Sequence, residues 1–131
     1  MKTELIVKFQ MAASHSLEGY ETPHSHLWNL EIILSGSPKN GKIIDLIEFR
    51  EKVNSVISPL ESQYLNDCPS VTLEVRKFPT CETLCSFFHE RVSDLIQKQW
   101  AQENPSLRLS SIEVAICEMD GTETGAVKLS E

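Results

Sequence analysis

The sequence predicts an α+β fold: a sheet built from two hairpins, with helices on one face. Three observations carry this. Four segments alternate apolar and polar residues with the period of a half-buried strand. Two segments repeat apolar residues with the period of an amphipathic helix. Their order along the 131 residues is strand, strand, helix, helix, strand, strand. Two hairpins separated by helices make one layered domain, spanning 1–131.

The first strand is read at 5–15, where Leu5, Val7, Phe9, Met11 and Ala13 share one parity and Lys8, Gln10 and Ser14 the other. Residues 19–23 read as a turn. A second strand at 26–34 carries Trp28, Leu30, Ile32 and Leu34 in one row. The stretch 36–41, with Pro38 and Asn40, is a loop. Asp45 then has the character of a helix N-cap, with Glu48 three residues on. Leu46, Phe49, Val53, Ile57 and Leu60 follow at helical spacing, and Pro59 marks the end. Residues 61–78 read as loop with a short strand at 71–75. Pro79 and Thr80 open the second helix, whose inner face includes Leu84, Cys85, Phe88, Val92, Leu95 and Ile96 and which ends before Pro105. A third strand at 111–118 places Ile112, Val114 and Ile116 on one parity. A turn at 121–125 leads to a fourth strand at 126–129.

The chain has 19 acidic and 12 basic residues and a net charge of −7. That balance argues against unaided binding to nucleic acid or to an anionic membrane. It leaves room for a local basic pocket around a phosphorylated small molecule. No apolar run approaches the roughly 20 residues of a membrane span. Met1-Lys2-Thr3-Glu4 leads into strand alternation rather than a signal peptide, so a cytoplasmic protein is expected. In that compartment Cys68, Cys81, Cys85 and Cys117 are expected as free thiols.

Three of the four histidines fall within residues 15–26. His15 continues the apolar row of the first strand, and His24 and His26 share the parity of the second. In an extended segment His-x-His sets both rings on one face, about 7 Å apart along the chain. Two such rings and a third from a neighbouring strand can share one tetrahedral metal, and three ligands leave the open position of a catalytic site. Taken as pattern alone, the same residues also suit surface or loop histidines. His89 reads as a partly exposed helix residue. Glu118 extends the apolar row of the third strand, where a carboxylate is costly unless paired. It suits either a guanidine-like edge, as on a pterin ring, or a strand end turning into solvent. Glu21, three residues before His24, suits either a general base beside a metal or a solvated loop acid.

Several of these stretches resemble the 6-pyruvoyl-tetrahydropterin synthase and 6-carboxytetrahydropterin synthase family. Ala13-Ser14-His15-Ser16-Leu17 resembles its first zinc motif and His24-Ser25-His26 its His-Gly-His. Gly41-Lys42-Ile43-Ile44-Asp45 resembles its entry to the first helix, and Leu60-Glu61-Ser62-Gln63-Tyr64-Leu65-Asn66 its Leu-Asp-His-x-x-Leu-Asn. Pro79-Thr80-Cys81-Glu82-Thr83-Leu84 resembles Pro-Thr-x-Glu-x-Leu. The resemblance implies the tunnelling fold, a four-stranded antiparallel sheet with two helices packed on one face. It implies Zn2+ held by His15, His24 and His26, and Glu118 and Thr80 as substrate-binding residues. It further implies a homo-hexamer of two trimers with sites at subunit interfaces. The substrate class is 7,8-dihydroneopterin triphosphate or a close relative, on a route to folate or queuosine. Zinc would polarise side-chain oxygens while proton transfers move or cleave that side chain.

The chain also departs from the family. Tyr20 stands where carboxytetrahydropterin synthases place a catalytic cysteine. The Asp-His catalytic pair falls on Glu61-Ser62, and Ser62 cannot act as an imidazole does near neutral pH. Ser25 replaces the glycine between the two ligands. One subgroup has Glu-x-x-His-Gly-His instead of the cysteine and forms 6-hydroxymethyl-dihydropterin; Glu21 fits its spacing. Glu21 and Glu61 are therefore the catalytic candidates. The expected function is a zinc-dependent pterin side-chain lyase or synthase. The alternative is a pterin- or purine-binding protein that has lost catalysis, favoured by the two departures and disfavoured by retention of all three histidines.

Overall fold

The computed structural model describes residues 2–17 and 21–131. Alternation in the first third of the chain becomes two long strands, β1 (Thr3–His15) and β2 (His24–Gly36). Helix α1 (Leu46–Ile57), a short α2 (Leu73–Lys77) and the long α3 (Cys81–Gln99) follow. Strands β3 (Arg108–Cys117) and β4 (Glu123–Ser130) complete the chain. They form one antiparallel sheet in the order β1-β2-β3-β4.

The parities read from sequence decide which face is covered. Val7, Phe9, Met11 and Ala13 from β1 join Trp28, Leu30, Ile32 and Leu34 from β2 in one buried cluster. Phe49 and Val53 of α1 and Leu84, Cys85, Phe88, Val92 and Ile96 of α3 close over them. Both long helices therefore lie on the same face. The opposite face is polar: Lys8 pairs with Glu31 at 3.7 Å, and Gln10 donates to Asn29 at 2.9 Å. Asp45 caps α1 by accepting the Glu48 N–H at 3.1 Å, as its spacing predicts. All four cysteines are free and buried. No helix among the described residues is long and apolar enough to cross a membrane.

Two readings need correction. Residues 71–75 are not a strand. Val71, Leu73 and Val75 alternate, but Thr72 caps a helical turn by accepting the Val75 N–H at 3.3 Å, and α2 runs from there. Arg76 holds that turn in place by donating to the carbonyls of Cys68 and Val71. The third strand stops at Cys117, so Glu118 lies beyond the sheet and is exposed. The loop read at 19–23 and Tyr20 fall wholly or partly outside the described residues.

Candidate active site

The β1–β2 register places His15 directly opposite His24, and Ala13 opposite His26. Directly opposed residues on one sheet face have Cβ atoms about 4.5–5.5 Å apart, and diagonal neighbours remain within reach. The three histidines thus gather at one end of the helix-covered face. The His15 and His26 rings meet edge to face with centroids 5.0 Å apart, and those of His24 and His26 are 6.5 Å apart. Trp28 forms the floor, 5.2 Å from His15 and 6.0 Å from His26. Its indole N–H donates to Ala13 O at 3.1 Å, which fixes the ring.

The hydrogen bonds decide which nitrogens are available. His15 Nδ1 donates to Pro79 O at 2.8 Å, and His26 Nδ1 donates to Cys117 O at 3.1 Å. A carbonyl oxygen can only accept, so in the neutral rings both protons sit on Nδ1 and both Nε2 atoms carry lone pairs. Metal-binding histidines usually hold their second nitrogen this way. Burial also pushes the His15 pKa below its ordinary value, against the opposing effect of the Pro79 bond. The neutral ring is the form that binds a metal.

His24 differs. Its ring lies 3.1 Å through Nε2 from Glu21 Oε1, and its side chain is 52 % exposed. A carboxylate accepts, so Nε2 carries a proton in this arrangement. Rings sharing a tetrahedral metal at about 2.0–2.1 Å through Nε2 stand with centroids about 5 Å apart. The His15–His26 pair already has that spacing, and His24 does not. Accordingly, no three His, Cys, Asp or Glu side chains among the described residues converge on one point as they stand. The donor set fits a metal; His24 must leave Glu21 to complete it.

The remaining candidates separate. Glu21 reaches the site: besides His24, it accepts the Leu17 N–H at 2.7 Å. Glu118 follows directly after Cys117, whose carbonyl orients His26. Its backbone is closed into a turn by bonds with Thr122 O at 2.9 Å and Gly121 N at 2.8 Å. Thr80 is the N-cap of α3, accepting the Thr83 N–H at 3.2 Å. Its own N–H donates to Phe78 O at 2.8 Å, a tight turn that aims Pro79 O at His15. Glu61 is engaged elsewhere, its two oxygens accepting the Ala12 N–H at 3.2 and 3.3 Å. Ser62 next to it has φ 61°, a left-handed conformation uncommon for serine.

Sequence reading had Trp28 only as a core residue, although its parity places it in line with His26. It gave no site role to the Pro79 and Cys117 carbonyls or to Ser16, Tyr64 and Asn66. Those contacts join positions 48 or more residues apart, and local periodicity carries no signal for them.

Comparison with known proteins agrees with the fold. The family profile described as 6-pyruvoyl tetrahydropterin synthase matches residues 4–125. The chain is 27% identical over 94 residues to a dihydroneopterin monophosphate aldolase of Pyrococcus furiosus, covering 70% of this chain and 76% of that protein. It is 29% identical over 91 residues to an Archaeoglobus fulgidus protein provisionally named 6-carboxy-5,6,7,8-tetrahydropterin synthase, covering 65% and 73%. Among solved structures, 6-pyruvoyl tetrahydropterin synthase of Caenorhabditis elegans superposes with TM-score 0.74 at 13% identity, over 100% of this chain and 96% of that one.

Proposed function

The chain belongs to the 6-pyruvoyl tetrahydropterin synthase family, and from that premise we propose that it is a zinc-dependent lyase that shortens the side chain of a phosphorylated dihydroneopterin to give 6-hydroxymethyl-dihydropterin. The observation that carries this is the arrangement of the histidines. His15 and His26 keep their Nδ1 protons on backbone carbonyls, which leaves Nε2 as the available donor on two rings 5.0 Å apart, with His24 opposite His15. His15, His24 and His26 would hold the ion, which when bound supplies polarisation of the substrate's side-chain oxygens.

The chain's own groups supply the rest. Glu21 takes the proton of the second side-chain hydroxyl, and that carbon becomes the carbonyl of a departing phosphorylated two-carbon aldehyde. The electrons of the broken carbon–carbon bond pass to the remaining side-chain carbon in conjugation with the pterin ring. The proton returns to that remaining carbon to leave the hydroxymethyl group. A carboxylate bonded to His24, a proposed metal ligand, and to the Leu17 amide supports this role. Glu118 accepts paired N–H donors from the pterin ring, and its closed backbone turn keeps it one residue from the carbonyl that orients His26. Such charge-assisted bonds are worth about 1.5–3 kcal/mol each. The cleavage reading is preferred to the carboxy-forming one because Glu21 stands at the required spacing before His24. The name of the Pyrococcus relative supports the same choice.

The decisive experiment incubates zinc-loaded protein with dihydroneopterin triphosphate and, separately, monophosphate, and separates the pterins by chromatography. We expect 6-hydroxymethyl-dihydropterin, and we expect Glu118→Gln to bind pterin at least tenfold more weakly with zinc retained. A 6-carboxy product would instead favour the Archaeoglobus-type reading. Pterin binding with no product would favour the second reading, a binding protein that has lost catalysis. The engagement of Glu61 with the Ala12 amide and the absence of an imidazole at Ser62 are what support that alternative.

We further propose a homo-hexamer of two trimers. Strand β4 is exposed along nearly its whole length, and an open edge of that kind invites pairing with a second copy. The histidines also lie outside the cleft of about 420 Å³ on the polar face, which is lined by Lys8, Gln10, Asn29, Glu31 and Arg50. We propose that a neighbouring copy walls the histidine end of the sheet. Light scattering at micromolar concentration should give a trimer or hexamer, and a monodisperse monomer would refute this.

A further inference from the structure

We propose that Asn66 and Tyr64 are positioning residues for the histidine site, acting through Ser16. The inference rests on reading His15, His24 and His26 as metal ligands. It concerns what holds the first of them in place, a role that the resemblance of residues 60–66 to a family motif does not give.

The free edge of β1 is lined by the segment that follows α1. Ala12 is held on both sides, its N–H by the Glu61 carboxylate and its carbonyl by the Ser62 N–H at 2.7 Å. Two residues on, the Ser14 N–H donates to Gln63 O at 2.9 Å. At Ser16 the backbone partner is replaced by a side chain. Asn66 Oδ1 accepts the Ser16 N–H at 3.0 Å, and Asn66 Nδ2 donates to Ser16 O at 2.8 Å. One carboxamide thus acts as a further strand residue and carries the every-second-residue ladder one step past the end of β1. The hydroxyls of Ser16 and Tyr64 bond to each other as well.

Ser16 is only 2 % exposed. Water cannot readily replace these partners, and a buried amide or carbonyl left unpaired is costly. The position matters because of its neighbours. His15, just before it, is pinned at Nδ1 by Pro79 O, and Leu17, just after it, is pinned at N–H by Glu21. Ser16 is the joint between the buried histidine and the carboxylate that holds His24. Fixing its backbone from both sides holds His15, the residue just before it, in its contact with the His26 ring 5.0 Å away. Metal coordination tolerates errors of only about 0.2 Å in ligand distance, so a loosened joint weakens binding without removing a ligand.

The test uses the full chain and zinc alone. Affinity is read by competition with a chromophoric chelator, and the melting temperature is read on the metal-free protein. Asn66→Ala should weaken zinc binding about 10- to 100-fold, the range seen when outer partners of metal ligands are removed. Asn66→Asp keeps the acceptor for Ser16 N–H but sets an oxygen against Ser16 O, so it should fall between the wild type and Asn66→Ala. Tyr64→Phe removes a single hydroxyl contact and should give a smaller loss. A role in folding alone would lower the melting temperature while leaving zinc affinity unchanged, and that result overturns the inference. If Asn66→Ala does not fold, Asn66→Asp and Tyr64→Phe decide by the same comparison. Wild-type protein that binds no zinc would overturn the ligand reading and this inference with it; wild-type binding matched by the variants overturns this inference alone.

Discussion

His26→Ala should lose at least a hundredfold in zinc affinity while keeping the fold. His26 is half-buried and donates to Cys117 O at 3.1 Å, so its ring is held in place before any ion arrives. Zinc sites with four protein ligands bind with about 10–16 kcal/mol at neutral pH, or roughly 3 kcal/mol per ligand, which is a factor of about a hundred. His15→Ala should lose as much and should also destabilise the metal-free protein, because it leaves Pro79 O without its donor and a gap beside Trp28. His24→Ala should cost less, since part of its binding strength is already spent on leaving Glu21. His89, whose ring stands 3.7 Å from Glu131, serves as the control and should not change zinc affinity when replaced by alanine. Equal affinity in the wild type and His26→Ala would remove the histidine cluster as a metal site.

The parts of this molecule that could be read from sequence are those set by local period. The parity of His15 with Val7, Phe9, Met11 and Ala13, and of His26 with Trp28, follows from strand geometry alone, and the register then brings the two rows together. Asp45 and Thr80 act as helix caps because a side-chain oxygen needs only an N–H three residues on. Residues 71–75 read as a strand because five residues are too few to separate two periods, and periodicity does not register side-chain bonds such as those from Arg76 to the nearby carbonyls of Cys68 and Val71. The same limit hid the tautomers. Nothing near His15 or His26 in sequence indicates that Pro79 and Cys117 would supply the carbonyls. The exposed position of Glu118 likewise depends on β3 ending one residue early, where the pairing with β4 shifts register.

Glu21→Gln should lower turnover of the phosphorylated dihydroneopterin by about 10²–10⁴-fold, the usual cost of removing a general base. Glu61 is tied to the Ala12 amide, and Ser62 needs a base of its own to act. Glu21 contacts a proposed metal ligand directly, with one oxygen on His24 and the other on Leu17 N–H. Glutamine preserves the length and one acceptor oxygen, so the loop should keep its path, but its amide cannot take a proton. Its single oxygen also cannot serve both the His24 and the Leu17 donors. His24 therefore loses a competitor for its Nε2, and zinc affinity should stay level or rise slightly. That combination, a large fall in kcat with metal and pterin affinity kept, separates a base from a ligand or a structural strap. A strap would show loss of zinc or a lower melting temperature in step with activity. If Glu21→Gln turns over as fast as the wild type, the base is elsewhere. If the zinc-loaded wild type gives no turnover at all, Glu21 serves only to hold His24, and the chain is the pterin-binding protein of the second reading.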